Sequence, residues 1–125
     1  MSIIQKRSRR KASGGRYKFK PTKKIVNLGS HPRHTKVDEK SLKIIRVIGG
    51  NKKQFLLSSN VVNVYDSKNK KYSKTKIITI ISNLANRHFI RRNILTKGAI
   101  VKTELGDVKI TSRPGQEGTV NGILL

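Results

Sequence analysis

From Leu42 onward the chain is cut into seven short runs rich in β-branched and other apolar residues, separated by Gly, Asn and polar clusters. Leu42–Ile48 closes on Gly49-Gly50-Asn51, and Lys52–Leu57 returns from that turn as the second strand of a hairpin. Asn60–Tyr65 is stopped by Asp66-Ser67-Lys68-Asn69, and Tyr72–Ile81 follows it. Ala99–Leu105 and Asp107–Thr111 flank Gly106, and Arg113-Pro114-Gly115-Gln116-Glu117-Gly118 forms a tight loop before Thr119–Leu125. Two heavy atoms on Cβ crowd a helical turn but pack well on a pleated surface, so these runs favour strands. Their shortness and spacing predict a mainly β fold, a small closed or nearly closed β-barrel with little helix. Phe55, Leu56 and Leu57 are the core expected of the second run. Ile77, Ile78, Ile80 and Ile81 are the apolar content of the fourth.

Residues 1–24 read differently: they hold ten Lys or Arg and no acid, with too few apolar residues for a core. Such a segment stays extended until a polyanion neutralises it. Gly14 and Gly15 break any helix there and let the backbone approach a phosphate closely. Arg16-Tyr17-Lys18-Phe19-Lys20 alternates cations with aromatics. Its rings are suited either to stacking on unpaired bases or to packing on a domain edge. Ile25, Val26 and Leu28 predict one more short strand, turned by Gly29, Ser30 and Pro32.

Between the fourth and fifth runs lies Asn86-Arg87-His88-Phe89-Ile90-Arg91-Arg92-Asn93-Ile94-Leu95-Thr96-Lys97-Gly98. Phe89, Ile90, Ile94 and Leu95 are anchors at roughly helical spacing, and they would hold Arg87, Arg91 and Arg92 on a folded surface. Arg87 and Arg91 lie four positions apart, so one helical turn puts both on one face. Guanidiniums presented together suit phosphate oxygens, although a short surface helix with solvated charges has the same pattern. The rest of the chain shifts the balance towards the first of these readings. Its 125 residues carry 29 Lys and Arg against 6 Asp and Glu, a formal charge of +23. With an isoelectric point near 11.2, a polyanionic partner is implied, and nucleic acid fits better than a membrane surface. No apolar run is long enough to span a bilayer, and the N-terminus lacks the pattern of a secretory signal, which predicts a soluble intracellular protein.

Catalysis is not expected. The six acids are Asp38, Glu39, Asp66, Glu104, Asp107 and Glu117, and they form no converging set for a metal-dependent nuclease. Without cysteine there is no disulfide, thiolate ligand or cysteine nucleophile. His31 and His34 invite a metal reading, but His88 is the only other histidine, so neither a metal nor a cofactor is expected. The motifs of ribonucleoprotein domains, zinc fingers and helix-turn-helix proteins are missing too. Affinity should therefore come from phosphate neutralisation and shape.

Several separated motifs, in order, give the chain a resemblance to a known family. They are Arg7-Ser8-Arg9-Arg10-Lys11-Ala12-Ser13-Gly14-Gly15-Arg16, Leu28-Gly29-Ser30-His31-Pro32 and Arg46-Val47-Ile48-Gly49-Gly50-Asn51-Lys52-Lys53. The stretch Asn86 to Ala99, then Ser112-Arg113-Pro114-Gly115-Gln116 and Val120-Asn121-Gly122-Ile123-Leu124-Leu125, complete the series. On these residues the chain resembles the archaeal and eukaryotic small-subunit ribosomal protein family called eight-e. Ala99 to Ser112 runs without the long insertion of eukaryotic members, which makes the resemblance archaeal.

The resemblance implies a structural component of the small ribosomal subunit, working in translation at the cytoplasmic ribosome. Its partners would be small-subunit ribosomal RNA and neighbouring ribosomal proteins, with no membrane and no small-molecule substrate. A family relative that acts in large-subunit assembly has a similar barrel and is the alternative. The short length and the Arg-Arg-Lys-Ala-Ser-Gly-Gly-Arg opening favour the ribosomal protein. The expected organisation is an RNA-embedded extension over residues 1–38 and an RNA-binding barrel over 39–125. Expected contacts in the extension are Arg7, Arg9, Arg10, Lys11, Arg16, Lys18, Lys20, Lys23 and Lys24, with Gly14 and Gly15 permitting close approach. On the barrel they are Lys52, Lys53, Arg87, His88, Arg91, Arg92, Lys97 and Arg113.

Overall fold

In the computed structural model, which describes residues 7–18 and 25–125, each of the seven expected runs contains a strand. They are β1 (Ser41–Arg46), β2 (Lys52–Ser58), β3 (Val61–Asp66), β4 (Lys71–Ser82), β5 (Ile100–Thr103), β6 (Gly106–Ile110) and β7 (Asn121–Leu124). A single-turn helix, α1 (His88–Arg91), sits between β4 and β5. β3 to β7 close a five-stranded barrel, while β1 and β2 form a separate antiparallel ribbon. Successive barrel strands pair antiparallel, and the seam is the parallel pairing of β3 with β7, Asn63 to Asn121 and Tyr65 to Ile123. Closure leaves none of these five strands at an edge.

Alternating side chains fill the interior. Val62 and Val64 from β3, Val101 from β5, and Val108 and Ile110 from β6 are buried together with Leu56, Leu95, Ala99 and Val120. On β4 the alternation is broken: Ile77 and Ile80 point inward, whereas Ile78 and Ile81 are exposed. A register irregularity against β5 between Ile77 and Thr79 accounts for this. One extra residue at a bulge shifts the period-two phase, so two isoleucines three positions apart share the inner face. Leu57 is exposed as well: it shares the face of Phe55, but near the end of β2 that face is no longer covered. Glycine at position 122 follows from the tightness of this interior. A Cβ there would stand 2.4 Å from Val108 Cγ1 and 3.0 Å from the Lys109 carbonyl oxygen.

The chain divides into two compact units, Met1–Pro32 and Arg33–Leu125. In the second, Thr35–Val37 laces the end of β2 to the loop after β4. The Lys36 N–H donates to the Leu57 carbonyl (3.1 Å), Val37 to Asn93 (3.0 Å), and Leu95 to Thr35 (2.8 Å). In the first, Ile25–Asn27 forms one 3-10 turn rather than the expected strand. The Leu28 N–H bonds back to the Ile25 carbonyl at 2.9 Å, and Ile25 and Val26 are exposed. A run this short closes on itself when its side chains have no core to enter. Among the described residues, no helix is long and apolar enough to cross a membrane.

Candidate nucleic-acid interface

The loop from Asn83 to Ala99 begins with a buried amide. Asn83 Nδ2 donates to the Ile94 carbonyl (3.3 Å), and its Oδ1 accepts from the Ala85 N–H and from Thr96 Oγ1, both at 3.0 Å. One side chain therefore ties together the start, middle and end of the loop. Asn86 Oδ1 accepts the His88 N–H at 2.9 Å and starts α1, as an Asx side chain does for an orphan amide. The turn ends at Asn93, whose φ of 50° an asparagine tolerates and a β-branched residue does not. Ile94 and Leu95 are buried below it, and Phe89 and Ile90 are half-buried. Phe89 meets the edge of His34 at a ring-centroid distance of 5.5 Å.

On this base Arg87, His88, Arg91 and Arg92 are all exposed, and Lys97 is exposed on the return turn of the same loop. The structure thus brings these five expected residues onto one anchored loop. Lys52, Lys53 and Arg113 belong to a second place, where the loop 113–118 packs on β2. There the Leu56 N–H donates to the Pro114 carbonyl (3.0 Å), and Lys53 Nζ donates to Gln116 Oε1. Lys52 is paired across the ribbon with Arg46, which adds a cation that the sequence reading did not select. Arg33 was missed too. Its guanidinium lies 4.1 Å from the centroid of the buried Phe55 ring, a cation–π contact that seals the back of β2.

The described part of the N-terminal unit is a small loop of its own. Arg10 and Arg16 form an antiparallel bridge, and the Lys11 N–H reaches the Gly15 carbonyl at 2.8 Å. Gly14 holds the turn at a φ of 82°, a left-handed conformation that disfavours a side chain, and open space surrounds it. Arg10 Nη1 donates to the Gly14 carbonyl (2.9 Å), and the Arg7 guanidinium lies 3.8 Å from the Tyr17 ring centroid. Tyr17 is thus covered by a cation of its own unit, which takes a ring face from the base-stacking role. Arg9, Lys11, Arg16 and Lys18 are exposed, as is Gly15. Phe19, Lys20, Lys23 and Lys24 lie outside the described residues.

Six acids cannot neutralise 29 cations, so most of these side chains face solvent with no internal counter-charge. Among the described residues, no three His, Cys, Asp or Glu stand together as a metal site. An exposed set of guanidiniums and ammoniums on fixed turns is suited to one chemistry above others, that of phosphate oxygens.

Comparison with known proteins gives the family. Residues 4–125 match the family described as Ribosomal protein S8e. The chain belongs to this family. A relative from Methanococcus aeolicus, named Small ribosomal subunit protein eS8, is 50% identical over 126 residues, covering all of this chain and 98% of its own length. Relatives of the same name from Methanobrevibacter smithii and Picrophilus torridus are 46% and 44% identical, with both chains covered in full. The expected family and the mainly β architecture with a closed barrel are therefore both found. The family is one of ribosomal proteins, structural rather than enzymatic.

Proposed function

We propose that this chain is a structural constituent of the small ribosomal subunit, binding and scaffolding small-subunit ribosomal RNA. One observation carries the reading: Arg87, His88, Arg91, Arg92 and Lys97 are exposed on a loop fixed from below by Asn83, Ile94 and Leu95. Ordering those side chains in advance lowers the entropy lost when they meet a rigid, phosphate-rich surface. Membership in a ribosomal protein family, and relatives named as small-subunit proteins, support the same reading.

Binding proceeds by phosphate neutralisation. Each cation that meets a phosphate releases condensed counterions, so affinity falls steeply with salt. The barrel unit contributes the anchored loop and the patch of Lys52, Lys53 and Arg113. The basic N-terminal residues, Arg7, Arg9, Arg10, Lys11, Arg16 and Lys18 with Lys20, Lys23 and Lys24, follow RNA grooves as an extension. Gly14 and Gly15 allow their backbone close to the phosphates.

A sucrose-gradient profile of the tagged protein in lysate tests the reading. Co-migration with mature small subunits and translating ribosomes is expected, and confinement to large-subunit precursors overturns it. The loop is tested by Arg91→Ala with Arg92→Ala in a salt titration of RNA binding. The slope of log K against log salt should flatten by about one to two units. An unchanged slope would make these two arginines ordinary solvated charges.

A further inference from the structure

The outer wall of the barrel carries a groove that the basic loops do not explain. Strand register sets two rows across it. Tyr72 pairs with Tyr65, Tyr65 with Ile123, and Ile123 with Lys109; beside them Lys74 pairs with Asn63, and Asn63 with Asn121. Asn63, Tyr65, Tyr72, Lys74, Asn121 and Ile123 line the groove, and its lining contains no acid. Asp66 adjoins it, but its carboxylate is engaged within its own turn by the Asn69 side chain at 2.7 Å and the Lys68 N–H at 2.9 Å.

Tyr72 is 80% exposed, yet its ring is held against Tyr65 at a centroid distance of 4.8 Å and a tilt of 37°. An aromatic ring so exposed adds little to the core, while its support limits the conformations it must give up on binding. Next to it, Asn63 Nδ2 donates to Asn121 Oδ1 at 2.9 Å. That bond leaves the remaining oxygen of Asn63 and nitrogen of Asn121 without a partner among the described residues. An acceptor on Asn63 and a donor on Asn121, both residues lining one groove, are the two kinds of group that the edge of a nucleobase engages. Lys74 and Lys109 supply cations on the same wall.

We propose that this groove holds an unpaired nucleobase of single-stranded RNA. Tyr72 stacks on the base, the Asn63–Asn121 pair meets its edge, and Lys74 and Lys109 meet the flanking phosphates. Closely spaced aromatics, amides and lysines with no acid favour a nucleic acid strand over a protein segment. The inference rests on the RNA-binding reading above but assigns a different surface and a different form of RNA.

The test uses the full chain with two labelled probes, a single-stranded RNA of about eight nucleotides and an RNA hairpin of equal phosphate count whose paired strands are joined by a non-nucleotide linker, so that it holds no unpaired base, read by fluorescence anisotropy. Tyr72→Ala should weaken the single strand about five- to a hundredfold and the hairpin less than about twofold. Tyr72→Phe should restore the single strand. Because the chain contains no tryptophan, quenching of tyrosine emission by the single strand in a Tyr17→Phe background gives an independent reading of stacking. Unchanged single-strand affinity in Tyr72→Ala overturns the groove. If the Arg91, Arg92 double variant still loses the hairpin, the scaffold reading survives that failure. Equal losses on both probes overturn it as well, since a stacking site discriminates between them. Loss of Tyr72→Ala from subunits with RNA affinity intact would make the groove a protein-docking face and overturn it also.

Discussion

The turn at Lys11–Gly15 is held by its own backbone, whereas the turn at Asn86–Asn93 is held by the barrel beneath it. Both present clustered cations. In the first, a glycine at positive φ, a two-residue bridge and an arginine folded over a tyrosine make the shape, and no residue of it is buried. In the second, a buried asparagine and two buried aliphatic side chains make it. Local bonds exposed to water contribute little each, because water competes for the same donors and acceptors. Buried anchors contribute more, because unseating them opens a cavity. The anchored turn is a rigid stamp, and the self-held turn keeps its form by local bonds alone.

The contrast is sharpest under Leu95→Ala. Leu95 is 3% exposed and belongs to the barrel core, so its truncation should lower stability by about 2–5 kcal/mol. RNA affinity should fall with it as the arginine turn loosens. Urea denaturation followed by circular dichroism reads the first effect, and a loss under about 1 kcal/mol would mean that the turn does not lean on the core. Gly14→Ala should do the opposite. Strain at positive φ is worth about 1–2 kcal/mol, so RNA affinity should drop about tenfold with the melting temperature unmoved. A shifted melting temperature would break the division between the two turns.

The smallest effect expected is at Asp66, on the β3–β4 turn. Hydrogen bonds from the Asn69 side chain and then from the Lys68 backbone hold its carboxyl below the ordinary carboxylate range. A lowered folded pKa means that the carboxylate stabilises the fold above the ordinary range. That contribution is lost as the pH falls through the lowered value. Carboxyl NMR should place the Asp66 midpoint below that of an unfolded aspartate. A midpoint at or above it would mean that this turn, too, has little structure of its own.

Much of the fold was legible because strand runs and turn residues follow local rules. Gly49, Gly50 and Gly106 all sit at positive φ where the sequence predicts turns. What stayed hidden is non-local. The bulge on β4 that selects Ile77 and Ile80 depends on pairing with β5, and four isoleucines in five positions offer no parity of their own. Asn83 and Arg33 read as loop residues until the fold buries one and lays the other over Phe55. The exposed arginines in and beside α1 were visible from their spacing, since a cation four positions from another needs only one turn. The outer-wall groove had a faint signal in the alternation of Asn63 with Tyr65 and of Tyr72 with Lys74. Its third strand, however, arrives only through a parallel seam that periodicity cannot announce.

That seam has a consequence for the order of events during synthesis. Asn63 and Asn121 are 58 residues apart, so β3 waits for nearly half the chain before its second neighbour exists. The basic N-terminal segment leaves the ribosome before the arginine turn, and both do so ahead of the strand that seals the barrel. A nascent chain therefore exposes its charge before it can complete its core. Contacts this distant also close slowly. The cationic segments are therefore made before Asn121–Leu124 can close the barrel, and the order of the chain alone sets that timetable.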